Sequence, residues 1–352
     1  MSDDRTWVTE LGTALGTLGD DDLAAALHRR PHQVRVGPPV WERLAALHAD
    51  GRYATEFAAA FANGRAFLEA DDGLRGRLPQ LVEWTGGRRP PGDEVAPIDL
   101  RIDHVFLISC KYDSAILANT SPARLFDGLL SASGTWDRGD WYQQVAPDAY
   151  QALYACCRAA TGLDDLPDTP GACTRPQQGR LRRALTGRGF PDDASRAAYA
   201  LLCQEVSAAS AARWRSAMET SGSAPVAVLW RLLRIGSAPY FVLGIDRRTG
   251  APVQYRIAGP WDWRDEFELL ELAVSPARAG QPRVDWRCEY RPRLRRQDRR
   301  TAAGHVEIRW SHGRFAQPPE AKIYLDTPME ELPGYHRLVE APGAQLPLWS
   351  EV

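Results

Sequence analysis

The sequence predicts an α+β protein, helical at the N terminus, mixed in the middle and rich in antiparallel strand at the C terminus. Three observations carry this. Residues up to about 70 place apolar side chains at helical spacing. The run Val105-Phe106-Leu107-Ile108 is continuously apolar, as in a strand buried on both faces. Beyond residue 222, short segments alternate in hydrophobicity between turn residues.

Trp7, Val8, Leu11, Leu15 and Leu18 trace the first helix, and Leu23 and Leu27 continue the pattern. Pro38-Pro39 opens a helix from Val40 to His48, and Tyr53, Phe57, Phe61, Phe67 and Leu68 stripe an alanine-rich one, a stripe that reads as core. Leu81-Val82-Glu83-Trp84 changes the period. A loop of glycine, proline and arginine, Gly86 to Gly92, separates it from a hairpin that leads through Val105–Ile108 into Ser109-Cys110-Lys111. Ser121 caps a helix with Pro122 at its first position and Leu125, Phe126, Leu129 and Leu130 inward. Residues 145–221 read as mostly helical, with a secure helix over Ala194–Met218. Strands follow at Tyr240–Ile245, Val253–Ile257, Glu268–Val274, Val284–Tyr290, Val306–Trp310 and Ala321–Leu325, with a turn at Arg247–Gly250. The expected division is 1–78 helical, 79–221 a core with helices, and 222–352 a β-rich domain.

The 352 residues exceed one ordinary core, and 44% hydrophobic with 25% charged residues are globular values. A formal net charge of -2 excludes a uniformly basic nucleic-acid binder, so any grip on phosphate must be local. Without an apolar run of about 18 to 20 residues or a signal-like start, the expectation is a cytoplasmic protein with no membrane partner. Six cysteines without metal or disulfide spacing read as reduced, and the histidines lack ligand spacing. No glycine-rich phosphate loop of nucleotide-hydrolysing type occurs.

Basic residues are almost all arginine. Of 43, only Lys111 and Lys322 are lysine. Arginine replaces lysine wherever a generic charge suffices, but not where a compact ammonium must direct its donors at a water or a phosphoryl oxygen, which marks these two positions. Cleaving a phosphodiester with a divalent metal requires carboxylates to hold the ion and a lysine near the attacking water. A hairpin with an acid on one strand and a short acid-x-lysine on the next supplies them.

Residues 97–111 have that layout. With Pro97-Ile98-Asp99, the apolar strand, Ser109-Cys110-Lys111 and a following helix, the stretch of about 80–130 resembles the PD-(D/E)xK nuclease superfamily. The resemblance implies a restriction-endonuclease-like α/β core and a Mg2+- or Mn2+-dependent endonuclease acting on DNA, in a context such as host defence. Asp99 would be the metal-binding acid, Lys111 the catalytic lysine and Glu83 a further metal-binding acid. Ser109 departs from the pattern, which usually has Asp or Glu there, so the site is either weakened or the mark of an inactive binding or assembly module. Asp99 and Asp103 lie about 13 Å apart along an extended strand and cannot share one ion. A two-residue turn at Asp103-His104 would put Asp99 and Lys111 on opposite faces. An odd loop, Ile102 to His104, would put Asp99, Ser109 and Lys111 on one face, so the nuclease reading predicts an odd loop or a bulge. Alternation places Cys110 on the other face, buried.

For the grip, Arg291, Arg293, Arg295, Arg296, Arg299 and Arg300 form a basic loop suited to tracking a phosphate backbone. Glu320-Ala321-Lys322 repeats an acid-x-lysine, and Arg309, His312 and Arg314 form a polar, aromatic loop beside it that makes Lys322 a binding candidate. Trp286 and Trp310 could stack bases, though alternation favours the core for most tryptophans here. A homo-oligomer or a partner protein fits the same reading. Lys111 or Lys322 as an amine nucleophile is a third chemistry and would need a desolvated lysine.

Overall fold

The computed structural model describes residues 2–86, 98–112, 116–128, 139–187, 189–219, 224–246 and 249–339. Pro97, Leu129, Leu130, and parts of the 86–92 loop and the 247–250 turn lie outside them. In chain order the elements are α1 (Ser2–Gly16), α2 (Leu23–Arg29), α3 (Pro38–Asp50), α4 (Ala54–Glu69), β1 (Val82–Trp84), β2 (Leu100–Ile102), β3 (Phe106–Tyr112) and β4 (Ala118–Thr120). Then come α5 (Trp141–Val145), α6 (Pro147–Thr161), α7 (Arg175–Ala184), α8 (Asp193–Glu219), α9 (Ala224–Leu232), β5 (Tyr240–Ile245), β6 (Pro252–Ile257) and α10 (Pro260–Glu266). The last are β7 (Phe267–Ala279), β8 (Gln281–Pro292), β9 (Arg300–Arg309), β10 (Glu320–Leu325) and β11 (Tyr335–Arg337). The protein is therefore α+β, with helices first and antiparallel sheet last. Among the described residues no helix is long and apolar enough to cross a membrane. All six cysteines are free.

The chain forms two compact units, neither a single stretch of sequence. The first is 1–115, 233–266 and 329–352, and the second is 116–232 and 267–328. In the first, one sheet runs β1-β2-β3-β5-β6-β11, with β3 and β5 parallel and every other pair antiparallel. The apolar stripes of α1 and α4 meet this sheet in one core that includes Leu11, Leu15, Phe57, Phe67, Leu100, Ile108 and Phe241. Glycines bring these two helices close: a Cβ on Gly16 would lie 2.2 Å from the Phe61 carbonyl oxygen, and one on Gly64 2.1 Å from that of Thr13. That close approach fixes where α1 lies on the sheet, and hence which of its side chains reach the hairpin.

In the second unit, β4-β10-β9-β8-β7 is wholly antiparallel. The long helix α8 packs on β7 and β8, and α6 packs on α8. Trp141, Trp214, Phe126 and Trp286 fill its core. The Trp141 indole N–H donates to Ser210 Oγ at 3.0 Å, and that of Trp214 to the Leu125 carbonyl at 3.1 Å, so these large side chains are buried with their polar edge satisfied. Ser121 Oγ accepts from Arg124 N–H at 3.3 Å, as a cap should, but the turn it starts is a π-helix over Arg124–Gly128. Helix α9 corrects the expectation that strands begin directly beyond residue 222: Ala224–Leu232 is helical, and the first strand after it is β5.

Candidate functional site

The hairpin loop decides the geometry. It has three residues, Asp103–Val105, with Ile102 opposite Phe106 and Leu100 opposite Ile108. This is the odd length the nuclease reading requires, one residue further along than Ile102–His104. Asp103 and His104 both have positive φ, 49° and 59°, which closes the turn. The Asp103 carboxylate anchors it by accepting from the N–H groups of Gln80 (2.8 Å) and Leu81 (2.9 Å). Continued by one position, the register sets Asp99 opposite Ser109.

Asp99 lies directly before β2. Its carboxylate accepts a 2.6 Å hydrogen bond from the Cys110 backbone N–H and one of 3.3 Å from Ser109 Oγ. Ser109, fully buried, thus holds the acid of the neighbouring strand instead of supplying one. Lys111 follows two residues later, half-buried, with its backbone beside Gly244 of β5. A Cβ on Gly244 would come 1.8 Å from the Lys111 carbonyl oxygen, so only glycine permits this pairing. Cys110, expected to be buried, is half-buried against the same core, and desolvation of its thiol holds its pKa well above the usual value.

The residue that sequence reasoning missed is Glu10 of α1. It is 8% exposed, accepts a 2.5 Å hydrogen bond from the Trp84 indole N–H, and has a pKa pushed up to about 8. Burial is the main cause, and the negative charge of Asp99 adds to it, while the Trp84 hydrogen bond and the positive charge of Lys111 oppose it. Two carboxyl groups and an ammonium therefore share one electrostatic environment at the start of β2 and the end of β3. A signal existed: Glu10 sits among Trp7, Leu11 and Ala14 at helical spacing, where an unmatched charge is out of place.

Beneath this group a polar network ties α1, α4 and the sheet together. Thr13 Oγ1 and Tyr112 OH lie 2.9 Å apart, and Asn63 Nδ2 donates to Tyr112 OH (3.1 Å) and to the Gly244 carbonyl (2.9 Å). Gln254 Nε2 completes it by donating to Asn63 Oδ1 at 2.9 Å. Thr13 is three residues from Glu10, so the network fixes the helix turn that carries the buried acid.

Glu83 is placed differently. Opposite Arg101 in the register, it forms an ion pair with the Arg101 Nε at 2.8 Å and with His104 Nδ1 at 3.1 Å. The Arg101 hydrogen bond holds its carboxyl below the usual range. Its contacts lie at the hairpin tip, and it is Glu10 whose ionisation Asp99 influences. Among the described residues no three His, Cys, Asp or Glu side chains converge as a metal cluster. A magnesium ion does not require one, because it keeps several waters and binds through one or two carboxylates plus substrate phosphate. Asp99, already ordered, and Glu10, whose charge is disfavoured until a cation joins it, fit that donor set.

The residues expected to grip DNA all lie in the second unit. Arg293, Arg295 and Arg296 are exposed at the tip of the β8–β9 hairpin beside Leu294, which is 99% exposed. Arg300 is exposed at the start of β9. Arg291 pairs with Glu268 at 2.7 Å and Arg299 with Glu289 at 2.9 Å. Arg309 pairs with Glu307 at 3.2 Å, and His312 and Lys322 each lie 3.5 Å from Glu320. Arg314 donates to the carbonyls of Leu185 (3.0 Å) and Gly189 (2.7 Å) and covers the Phe190 ring at 4.1 Å, a structural clamp. Trp286 is buried in the sheet core. Trp310 joins an aromatic group with Tyr142 and Phe315.

The chain matches no family model, no curated protein and no solved structure.

Proposed function

We propose that the protein is a metal-dependent nuclease that hydrolyses DNA phosphodiester bonds at the Asp99–Lys111 hairpin. The observation that carries this reading is the odd three-residue loop, which sets Asp99 against Ser109 and leaves Lys111 two residues beyond, with Glu10 in the same electrostatic environment. Asp99 and Glu10 would hold Mg2+ or Mn2+, which supplies charge stabilisation at the scissile phosphate. Ser109 Oγ and the Cys110 N–H keep the Asp99 carboxylate oriented. The Lys111 ammonium orients the attacking water and balances charge as it grows on the phosphoryl oxygens. The exposed arginines of the β8–β9 tip would bind backbone phosphates without reading sequence. Lys111→Ala should abolish metal-dependent cleavage of DNA while preserving the circular dichroism spectrum, and unchanged cleavage by this variant rejects the reading.

A second reading, a noncatalytic module that kept the scaffold, is favoured by the serine at 109. Calorimetric titration with Mg2+ or Mn2+ separates the two: the enzyme binds metal in a manner lost in Asp99→Asn, and the module does not.

A further inference from the structure

A cavity of about 930 Å3 lies within the second unit, between α5, α7 and the loop after β9. Its size falls in the range of small-molecule sites. Helix α7 lines it with Arg175, Gln178 and Arg182, spaced i, i+3 and i+7 and so on one face. Arg180, on another face, pairs with Asp165. Among the described residues neither Arg175 nor Arg182 has an acidic partner within ion-pair distance. Two guanidinium groups thus border one concavity, their backbones about 10 Å apart along the helix.

The opposite wall is built to stay in place. Arg314 clamps its loop to the Leu185 and Gly189 carbonyls. Gly313, at φ 99°, presses on the Arg182 stem so closely that a Cβ there would lie 2.8 Å from Arg182 Cγ. Phe315 follows at φ 59°, a conformation costly for a bulky residue and held by stacking on Tyr150 with ring centroids 5.5 Å apart.

Amide groups complete the lining: Gln143 of α5 is exposed, and Gln178 of α7 lies between the two arginines. The acid of the lining, Asp140, already accepts from the Tyr142 N–H (2.9 Å) and the Tyr150 hydroxyl (3.2 Å). The occupant that answers these groups carries at least one phosphate for the arginines and a planar polar body with acceptors for the glutamine amides. We propose that this cavity binds a nucleoside phosphate, its phosphate on Arg175 and Arg182 and its base against Gln143 and the Phe315 loop. This site does not rest on the nuclease reading.

The test is isothermal titration calorimetry of the full chain in EDTA with ribonucleoside 5′-monophosphates, with the free nucleosides and inorganic phosphate as separate arms. At least one nucleotide should bind saturably at a single site, and its nucleoside and phosphate alone should each bind at least about tenfold more weakly. Arg175→Gln, an exposed change, and Arg182→Gln should each weaken the nucleotide by about tenfold or more, while Lys111→Ala should bind as the wild type does. No saturable nucleotide binding, or binding indifferent to both arginine changes, overturns the proposal. Phosphate alone binding as tightly as the nucleotide, or the nucleoside doing so, also overturns it.

Discussion

Glu10→Gln should raise the stability of the metal-free protein at pH 8.5 and change it little at pH 5. The folded-state pKa of Glu10 is pushed up from 4.5 to about 8. A carboxyl raised in the folded state binds more protons there than in the unfolded chain, so its contribution is complete below pH 4.5 and is lost as pH rises toward 8. At about 1.4 kcal/mol per pH unit, that interval is worth of the order of 5 kcal/mol, comparable with the whole stability of many domains. Glutamine keeps the acceptor for the Trp84 indole and cannot ionise, so the variant escapes the loss. Urea unfolding in EDTA, followed by tryptophan fluorescence at both pH values, measures the difference. Adding Mg2+ at pH 8.5 should restore most of the wild-type stability and little in the variant. Parallel pH profiles for the two proteins would refute the buried, ionisation-resistant Glu10 on which the reasoning stands.

Gly64→Ala pushes a methyl group into the Thr13 carbonyl, 2.1 Å from where it must sit, and should cost about 1–3 kcal/mol or more in the same unfolding assay. Arg314→Ala should lower thermal stability through about 1.5–3 kcal/mol of lost charge-assisted hydrogen bonding to the Leu185 and Gly189 carbonyls. The pair Arg295→Ala and Arg296→Ala should leave stability unchanged and reduce the salt dependence of DNA binding by roughly two phosphate contacts, read from the slope of log affinity against log salt. Asp99→Asn should retain the fold and lose metal-stimulated cleavage, because the amide still accepts from the Cys110 N–H but carries no charge.

Much of the first unit is local in origin and was therefore legible. The aromatic stripe of α4, the apolar run of β3 and the Pro38-Pro39 start of α3 each declare themselves within a few residues. Alternation turns hairpin loop length into a prediction about which side chains share a face, but a two-residue and a three-residue loop both fit the sequence. The choice between them, and the loop's starting residue, depend on the anchoring of Asp103 by the Gln80 and Leu81 amides, from a segment about twenty residues away. The pairing of β3 with β5 is beyond local reading, joining residues 108–112 to 241–245 across the second unit's sequence. Glu83 faces Arg101 across the β1–β2 register, a pairing that local sequence does not reveal. The apolar period of α1 hides Glu10, because the helical pattern of its neighbours is complete without it. The charged residues of β9 and β10 show the limit of composition: Glu307, two residues back on β9, pairs with Arg309, and Glu320 at the start of β10 pairs with His312 and Lys322.

The account depends most on a divalent ion binding at Asp99 and Glu10. A crystal soaked in Mn2+ and measured for anomalous scattering locates such an ion without reference to activity. The expected result is one peak at coordination distance from the Asp99 carboxylate with Glu10 beside it, lost in Asp99→Asn. A peak at Glu83 instead, or none at the hairpin, would contradict the account.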